Sequence, residues 1–183
     1  ITHPEETYLL GKVNKMYITT DGIFSLANNF NERPKSLPAP VVKLGTINFT
    51  GEISGFFDNL VAFGKLSSSI GSIQTDLIFG SNKDKNIAAY LRGRIASSNL
   101  QLHELFGENN PFGEARFDIN IDTRRPVGGN FSGNIQAQVK EFDYKAYKYK
   151  DINLSGNFKK SSFDGTIHVN DPSGELYAQG IFQ

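Results

Sequence analysis

The chain has 183 residues and a mass of 20.3 kDa, enough for one domain with a sizeable core. Nineteen basic residues balance nineteen acidic ones, so strong electrostatic attraction to nucleic acid or to an acidic membrane is not expected. The absence of cysteine excludes thiol catalysis, disulfide bonds and cysteine-bound zinc.

The composition favours β-sheet, since glycine occurs 18 times, phenylalanine 15 times and tyrosine seven times. No apolar run is long enough for a transmembrane helix. The chain begins at Ile1 without a methionine or a signal-peptide pattern, and we therefore expect it to be a fragment of a longer protein.

Alternation of apolar and polar residues predicts ten strands. It is clearest where Ile47, Phe49 and Ile53 alternate with polar residues, and again from Ala115 to Ile121. In chain order the predicted strands are Val13–Thr19, Leu44–Ser54, Leu60–Leu66, Gly71–Phe79, Ile87–Ala96, Glu114–Asp122, Asn130–Tyr144, Tyr147–Phe158, Ser162–Val169 and Glu175–Phe182.

Two short helices and several turns complete the prediction. Gly22–Asn28 is predicted to be helical behind an Asp21 cap, and Leu100–Phe106 to be a helix that ends at Gly107. Asn29–Val41 contains three prolines and is expected to be a linker or a strap across the sheet. Short turn sequences around residues 81–84, 159–161 and 170–174 predict an antiparallel meander.

Seven strands share the pattern apolar-x-Gly-x-apolar, with every glycine on the apolar face. A glycine inside a strand weakens it, so a repeated glycine on one face indicates a sharply curved sheet or close approach of another backbone. Chance use of glycine is the simpler alternative. The glycines are Gly51, Gly64, Gly93, Gly133, Gly156, Gly165 and Gly180.

A ten-stranded sheet with one apolar face must close, fold over, or receive a partner on that face. No predicted helix is long enough to cover it. We therefore predict an all-β fold, a curved antiparallel meander forming an open trough or a partly closed barrel. Residues 1–41 are expected to form an N-terminal strand, helix and linker, and residues 42–183 the curved sheet domain.

Part of this sequence resembles a known family. The run from Tyr147 to Phe158, then Phe163-Asp164-Gly165-Thr166-Ile167, Asn170-Asp171-Pro172 and Gly180, resembles the strand repeats of the TamB family of the AsmA-like superfamily. The stretches Leu44–Gly51, Asn59–Leu66 and Ile70–Ile73 are similar to the Bacteroidetes type in particular. The resemblance covers roughly residues 42–183 and depends on the order of these motifs along the chain.

The resemblance implies a function in outer-membrane biogenesis. It implies a periplasmic segment of a protein anchored in the inner membrane of a Gram-negative cell, with an apolar concave groove. Its cargo would be phospholipid acyl chains, in lipid transport between membranes, or unfolded strands of outer-membrane barrel proteins during their assembly. An Omp85-type barrel similar to TamA would be a further partner.

Under this hypothesis the functional site is a surface with no catalytic residue, cofactor or metal. The structural alternative is that the same side chains pack on each other as a closed core. The candidate groove residues are Ile47, Phe49, Ile53, Leu66, Ile73, Leu77, Leu91, Ile95, Phe117, Ile119, Phe131, Ile135, Leu154, Phe158, Phe163, Ile167, Leu176 and Phe182.

Catalysis has little support in the sequence. The histidines, His3, His103 and His168, are far apart, and His168 is expected on the solvated face of its strand. No phosphate-binding loop, nucleophile elbow or catalytic carboxylate pair occurs. Asp118 and Asp122 share a face, which is more consistent with a solvated strand than with calcium binding.

A second hypothesis is a cell-surface β-sandwich or barrel that binds a glycan or a protein. It depends on Tyr144, Tyr147 and Tyr149, which alternate with Lys145, Lys148 and Lys150 and follow Lys140. The simpler interpretation is a solvated hairpin tip, and zero net charge argues against nucleic acid. Sequons at Asn48, Asn130 and Asn153 carry little information.

Overall fold

A computed structural model describes residues 7–29, 42–56, 58–82, 84–107 and 110–183. Ten strands form one antiparallel sheet in which each strand pairs with its sequence neighbours, so the predicted meander is confirmed. The elements are β1 (Tyr8–Ile18), α1 (Thr20–Asn29), β2 (Ile47–Phe56), β3 (Asn59–Ser68), β4 (Gly71–Asn82), β5 (Ile87–Gln101), α2 (Leu102–Phe106), β6 (Phe112–Pro126), β7 (Ser132–Tyr144), β8 (Tyr147–Lys159), β9 (Ser162–Asp171) and β10 (Gly174–Phe182).

The sheet is not closed. Its order runs from β1 to β10 without a return pairing, which leaves one side of each of these two strands unpaired within the described residues. The open alternative to a full barrel is therefore correct. β1 pairs with β2 from Tyr8 to Ile18, so the first strand is continuous with the rest of the sheet.

The two faces of the sheet differ in chemistry, as the alternation predicts. Cross-strand pairing joins Phe49 to Leu66 and Leu66 to Ile73, whereas the adjacent Thr50 pairs with Lys65 and Lys65 with Gln74. We call the side that carries Phe49 the apolar face and the side that carries Lys65 the polar face.

Most of the buried residues lie at the end of the sheet where α1 and α2 follow their strands. We call this the helix end. A cluster of aromatic rings lies there, with Phe112 at 6.1 Å from Phe106 and 5.6 Å from Phe142 between ring centroids. The buried apolar residues are Ile47, Phe49, Ile70, Leu100 and Ala115.

Several element boundaries differ from the prediction. β1 starts at Tyr8 and not at the predicted Val13. The prediction began too late because Leu9 and Leu10 are adjacent apolar residues, which interrupt the alternation used to find strands. The first helix starts at Thr20, and its cap is Thr19, whose hydroxyl accepts a hydrogen bond from the Gly22 amide, rather than Asp21.

The second helix is shorter than predicted. Leu100 pairs with Ala115 and Gln101 with Glu114, so these two residues belong to β5 and the helix begins at Leu102. A register shift between Ser97 and Leu100 interrupts the alternation there, and this gave the segment a helical appearance in the sequence. Of the predicted linker or strap, Asn29 belongs to α1, and residues 30–41 lie outside the described residues. No described helix has the length and hydropathy to cross a bilayer.

Candidate functional site: the apolar face

The cross-strand register brings the predicted groove residues to one face, where they form rows that cross the strands. One row joins Phe49, Leu66, Ile73, Phe117 and Leu176, together with Val139, Ile152 and Val169. The next rows towards the other end contain Ile95, Ile119, Leu154 and Ile167, then Ile53, Leu77 and Ile135, then Leu91, Phe158, Phe163 and Phe182.

Two of the predicted residues lie at the margins of these rows. Ile47 pairs with Ile18 at the helix end and is buried. Phe131 directly precedes β7 at the opposite end, where its ring is 44% exposed and lies under the Arg125 guanidinium at 5.4 Å. All eighteen candidates thus belong to one surface.

Most of this face is not sealed by other parts of the described chain. Outside the helix end its apolar side chains are half-buried or exposed, although Thr123 among them is buried, and no described side chain is more than 98% buried. A closed core of ten strands would bury such residues completely. The described face is therefore a single layer without a second layer packed on it.

Alternation also identifies face residues that the prediction left out. They occupy the same rows. Each lies an even number of positions from a predicted groove residue or repeated glycine on its strand or across the register, so its side chain is on the same face. These additional residues are Leu9, Val13, Met16, Leu60, Phe79, Ile121, Val139, Ile152 and Val169.

The seven repeated glycines lie at apolar-face positions. Gly156 is directly opposite Gly165, and a Cβ added to Gly165 would lie 2.7 Å from the Gly156 Cα and close to the Ser155 carbonyl oxygen. The Phe163 ring is beside both glycines, with its Cζ 2.8 Å from either added Cβ. Here the two strands and the ring occupy space that side chains would need, so the glycines allow close strand contact.

The polar face carries ion pairs instead of a catalytic cluster. Arg94 on β5 donates a hydrogen bond of 2.7 Å from Nε to Asp118 on β6, and Arg92 donates one of 3.0 Å to Asp122. The hydrogen bond from Arg94 lowers the pKa of Asp118 below its ordinary value. These two carboxylates are paired with guanidinium groups, and no group of three potential metal ligands occurs among the described residues.

The two histidines that the structure describes are far from each other in the fold. His168 lies on the polar face, 38% exposed in its side chain, with Nε2 2.9 Å from Glu175 Oε1. His103 lies on α2 with Nε2 3.3 Å from Glu104. His3 is outside the described residues. Each described histidine has an acidic neighbour.

Three depressions open mainly on the polar face. The one across β5–β9 has a volume of about 500 Å³ and is lined largely by amide, hydroxyl and charged side chains. The others have volumes of about 260 Å³ and about 900 Å³. These depressions are therefore distinct from the apolar groove that the family resemblance implies.

The predicted lysine and tyrosine cluster forms the β7–β8 hairpin. Lys145 and Ala146 both have positive φ, 49° and 63°, as a tight two-residue hairpin turn requires. Lys148 lies 3.7 Å from Asp143 and 3.9 Å from Glu141. The charges of this hairpin are thus partly neutralised locally, and no basic platform results.

The carboxylate of Asp171 connects this hairpin to the β9–β10 turn. It accepts hydrogen bonds from the Tyr147 hydroxyl, from the Lys150 amide at 2.9 Å and from the Ser173 amide at 2.9 Å. The bond from Tyr147, followed by that from the Ser173 amide, lowers the pKa of Asp171, and the same contact raises the pKa of Tyr147. Donors from two segments, β8 and the β9–β10 turn, thus converge on one charged group.

We expect Asp171→Asn to weaken the pH dependence of stability in acid. Because folding lowers the pKa of Asp171, its contribution is present above the ordinary carboxyl pKa, near about 4, and is lost as the pH falls through the folded value. The unmodified protein should therefore melt at a higher temperature than D171N at neutral pH, and this difference should shrink as the pH falls into the acidic range. The control is Asp164→Asn, a carboxylate with no side-chain hydrogen bond in the described structure. A D171N protein that retains the full acid-induced loss of stability would contradict this role.

Comparison with family models, with curated proteins and with solved structures gives no match for this chain. The resemblance to the TamB family therefore stays a prediction from the strand motifs.

Proposed function

We propose that this chain is a segment of a hydrophobic β-groove that holds acyl chains of phospholipids during outer-membrane biogenesis. The observation that carries the proposal is the apolar face, whose rows cross ten strands without a covering layer among the described residues. A large apolar surface in this state marks a place where another molecule binds.

The size of the face fits an extended apolar ligand. Adjacent strands lie about 4.8 Å apart, so ten strands extend the rows over about 43 Å. Successive rows lie about 6.8 Å apart along a strand, which gives the four rows a width of about 20 Å. An extended acyl chain has room to lie along a row in contact with several side chains.

The free energy of such binding is sufficient to hold a lipid during transport. Each buried methylene contributes about 0.8 kcal/mol, so one acyl chain gains on the order of 10 kcal/mol before the cost of its ordering is subtracted. The four rows contain no cationic side chain, and the Arg125 guanidinium lies at their margin, over the Phe131 ring. We therefore expect affinity to depend mainly on the length of the apolar chain.

A binding experiment on the purified protein tests the proposal. We expect co-purifying phospholipid in solvent extracts by mass spectrometry, and saturable binding of a fluorescent fatty acid. A photo-crosslinking residue at Phe131 in living cells should capture lipid. Capture of polypeptide alone would instead indicate unfolded barrel strands as the cargo. A folded protein that binds neither fatty acid nor lipid vesicles would overturn the assignment.

A second candidate function, glycan binding, is favoured by the depression across β5–β9. Its lining includes the side-chain amides of Asn120, Gln136, Gln138 and Asn153, which make no side-chain hydrogen bond within the described structure. Amide groups pair well with sugar hydroxyls because each amide offers a donor and an acceptor. Binding to a glycan array that Gln136→Leu abolishes would support this candidate, and acyl-chain binding would then be unaffected.

A further inference from the structure

Three turns at the end of the sheet opposite the helix end carry an excess of cationic side chains. They connect β4 to β5, β6 to β7 and β8 to β9, and their described residues with the flanking strand ends are 84–86, 124–131 and 159–161. We call these three segments the basic end. Asp84 is their only acidic residue, whereas their cationic residues are Lys85, Arg124, Arg125, Lys159 and Lys160.

Backbone hydrogen bonds join the three turns of the basic end. The Val127 amide donates to the Asn86 carbonyl oxygen at 3.1 Å, and the Lys160 amide donates to the Phe131 carbonyl oxygen at 3.3 Å. Each bond links one turn to the next. The cationic side chains therefore belong to one connected surface instead of three independent loops.

The charges of the basic end are not neutralised locally. All of its cationic residues are exposed, and none forms an ion pair with another described residue. At the helix end, in contrast, Lys148 lies 3.9 Å from Glu141 and 3.7 Å from Asp143. The zero net charge predicted no attraction to an acidic membrane, but attraction depends on the local excess of charge, which the fold concentrates at one end.

The depression of about 900 Å³ opens beside the basic end and provides a recess for an anion. Lys85, Arg124 and Lys159 line it together with Arg92. Asp122 is the only acidic residue of its lining, and it accepts a hydrogen bond of 3.0 Å from Arg92. The other three cations have no carboxylate partner among the described residues, so a phosphate group in the recess can accept charge-assisted hydrogen bonds from them.

Exposed apolar side chains lie between the cations of the basic end. Val127 is 63% exposed and Phe131 is 44% exposed, and both belong to the β6–β7 turn. Apolar side chains flanked by cations are typical of surfaces that bind anionic bilayers, because the apolar groups enter the acyl boundary while the cations reach the phosphates. A nucleic acid offers phosphates but no apolar layer that would cover Val127.

We propose that the basic end binds the surface of a bilayer that contains anionic phospholipids. Val127 and Phe131 enter the interface, and the surrounding lysines and arginines contact headgroup phosphates. Phe131 also marks the margin of the apolar face, so the bilayer lies beside the end of that face. Binding through the turns requires no acyl chain on the apolar face, and the inference is therefore independent of the proposed function.

Co-sedimentation with lipid vesicles tests the proposal. We expect the protein to bind vesicles that contain phosphatidylglycerol at least about tenfold more tightly than vesicles of phosphatidylcholine alone. Binding should weaken steeply as the salt concentration rises, because salt screens exposed charges.

The Lys159→Gln, Lys160→Gln double variant should bind phosphatidylglycerol vesicles about tenfold more weakly. The matched control is Lys145→Gln with Lys150→Gln, which removes the same charge at the opposite end of the sheet. Lys145 and Lys160 are both turn residues with positive φ, 49° and 61°. The control should bind vesicles like the unmodified protein, and both variants should retain fatty-acid binding.

A fluorescent reporter tests the apolar contact. The chain contains no tryptophan, so Val127→Trp places a single indole in the basic end. We expect its emission to shift to the blue when phosphatidylglycerol vesicles are added, since the ring leaves water. Tyr177→Trp is the control, because Tyr177 is 64% exposed on β10 and lies outside the basic end. Its emission should stay unchanged.

Three results would overturn the proposal. The first is equal sedimentation with neutral and anionic vesicles, and the second is equal binding by the two lysine variants. The third is retention of an oligonucleotide or of inorganic phosphate without vesicle binding, which would assign the cations to a soluble anion. Binding of fatty acid by a protein that ignores vesicles would leave the proposed function intact, so the two failures are distinguishable.

Discussion

Leu154→Asp should strongly weaken binding of a fluorescent fatty acid while the protein remains folded. Leu154 lies on β8 in the middle of the apolar face, between Ala137 on β7 and Ile167 on β9. An acyl chain lying over it would have to cover a carboxylate, and desolvation of an unpaired charge is strongly unfavourable. We expect affinity to fall by at least about tenfold, measured by fluorescence titration.

The matched control is Ser155→Asp, since the adjacent residue on the same strand belongs to the polar face. The same charge placed there should leave binding unchanged. Leu154 is half-buried on an uncovered face, so the carboxylate in the variant can reach water and circular dichroism should show a normal sheet. Equal affinity of L154D and the unmodified protein would exclude the apolar face as the binding surface.

Gly165→Val should strongly lower the stability of the folded protein. The added Cβ would collide with the Ser155 carbonyl oxygen and lie 2.7 Å from the Gly156 Cα, and both are backbone atoms of the paired strand. Overpacking of this kind costs about 3 kcal/mol, which corresponds to a melting temperature lower by about 10 °C for a protein of this size. Thermal unfolding followed by circular dichroism measures the change.

Gly174→Ala provides the comparison. This glycine follows the β9–β10 turn, where an added Cβ meets nothing within 4 Å of the described atoms. The melting temperature should change by less than about 2 °C. If G165V melts at the same temperature as the unmodified protein, the glycines do not mark close strand contact, and the pattern reflects ordinary use of glycine in strands.

The local pattern predicts most of the fold because strand pairing in a meander is itself local. Short turns join neighbouring strands directly, for example at residues 160–161 and 172–173. Finding the strands therefore nearly determines the topology. Prediction failed where a strand departs from simple alternation. At β1 the edge carries apolar residues on both faces, and in β5 a register shift follows Ser97.

Contacts between distant residues could not be predicted from these patterns. Asp171 receives hydrogen bonds from Tyr147 and Lys150, more than twenty residues earlier in the chain. Phe106 and Phe142 meet the same ring, that of Phe112, although they belong to different elements. Neither contact follows from alternation, because each depends on the register between strands and on the direction of a loop.

Sequence alone determined that this protein is an antiparallel sheet with one apolar and one polar face, because the period of side chains along a strand is a local property. Only the tertiary structure decided that the sheet stays open and that most of the apolar face has no covering layer among the described residues. Closure and register depend on how twist accumulates over ten strands, and this sum is not encoded in any single segment.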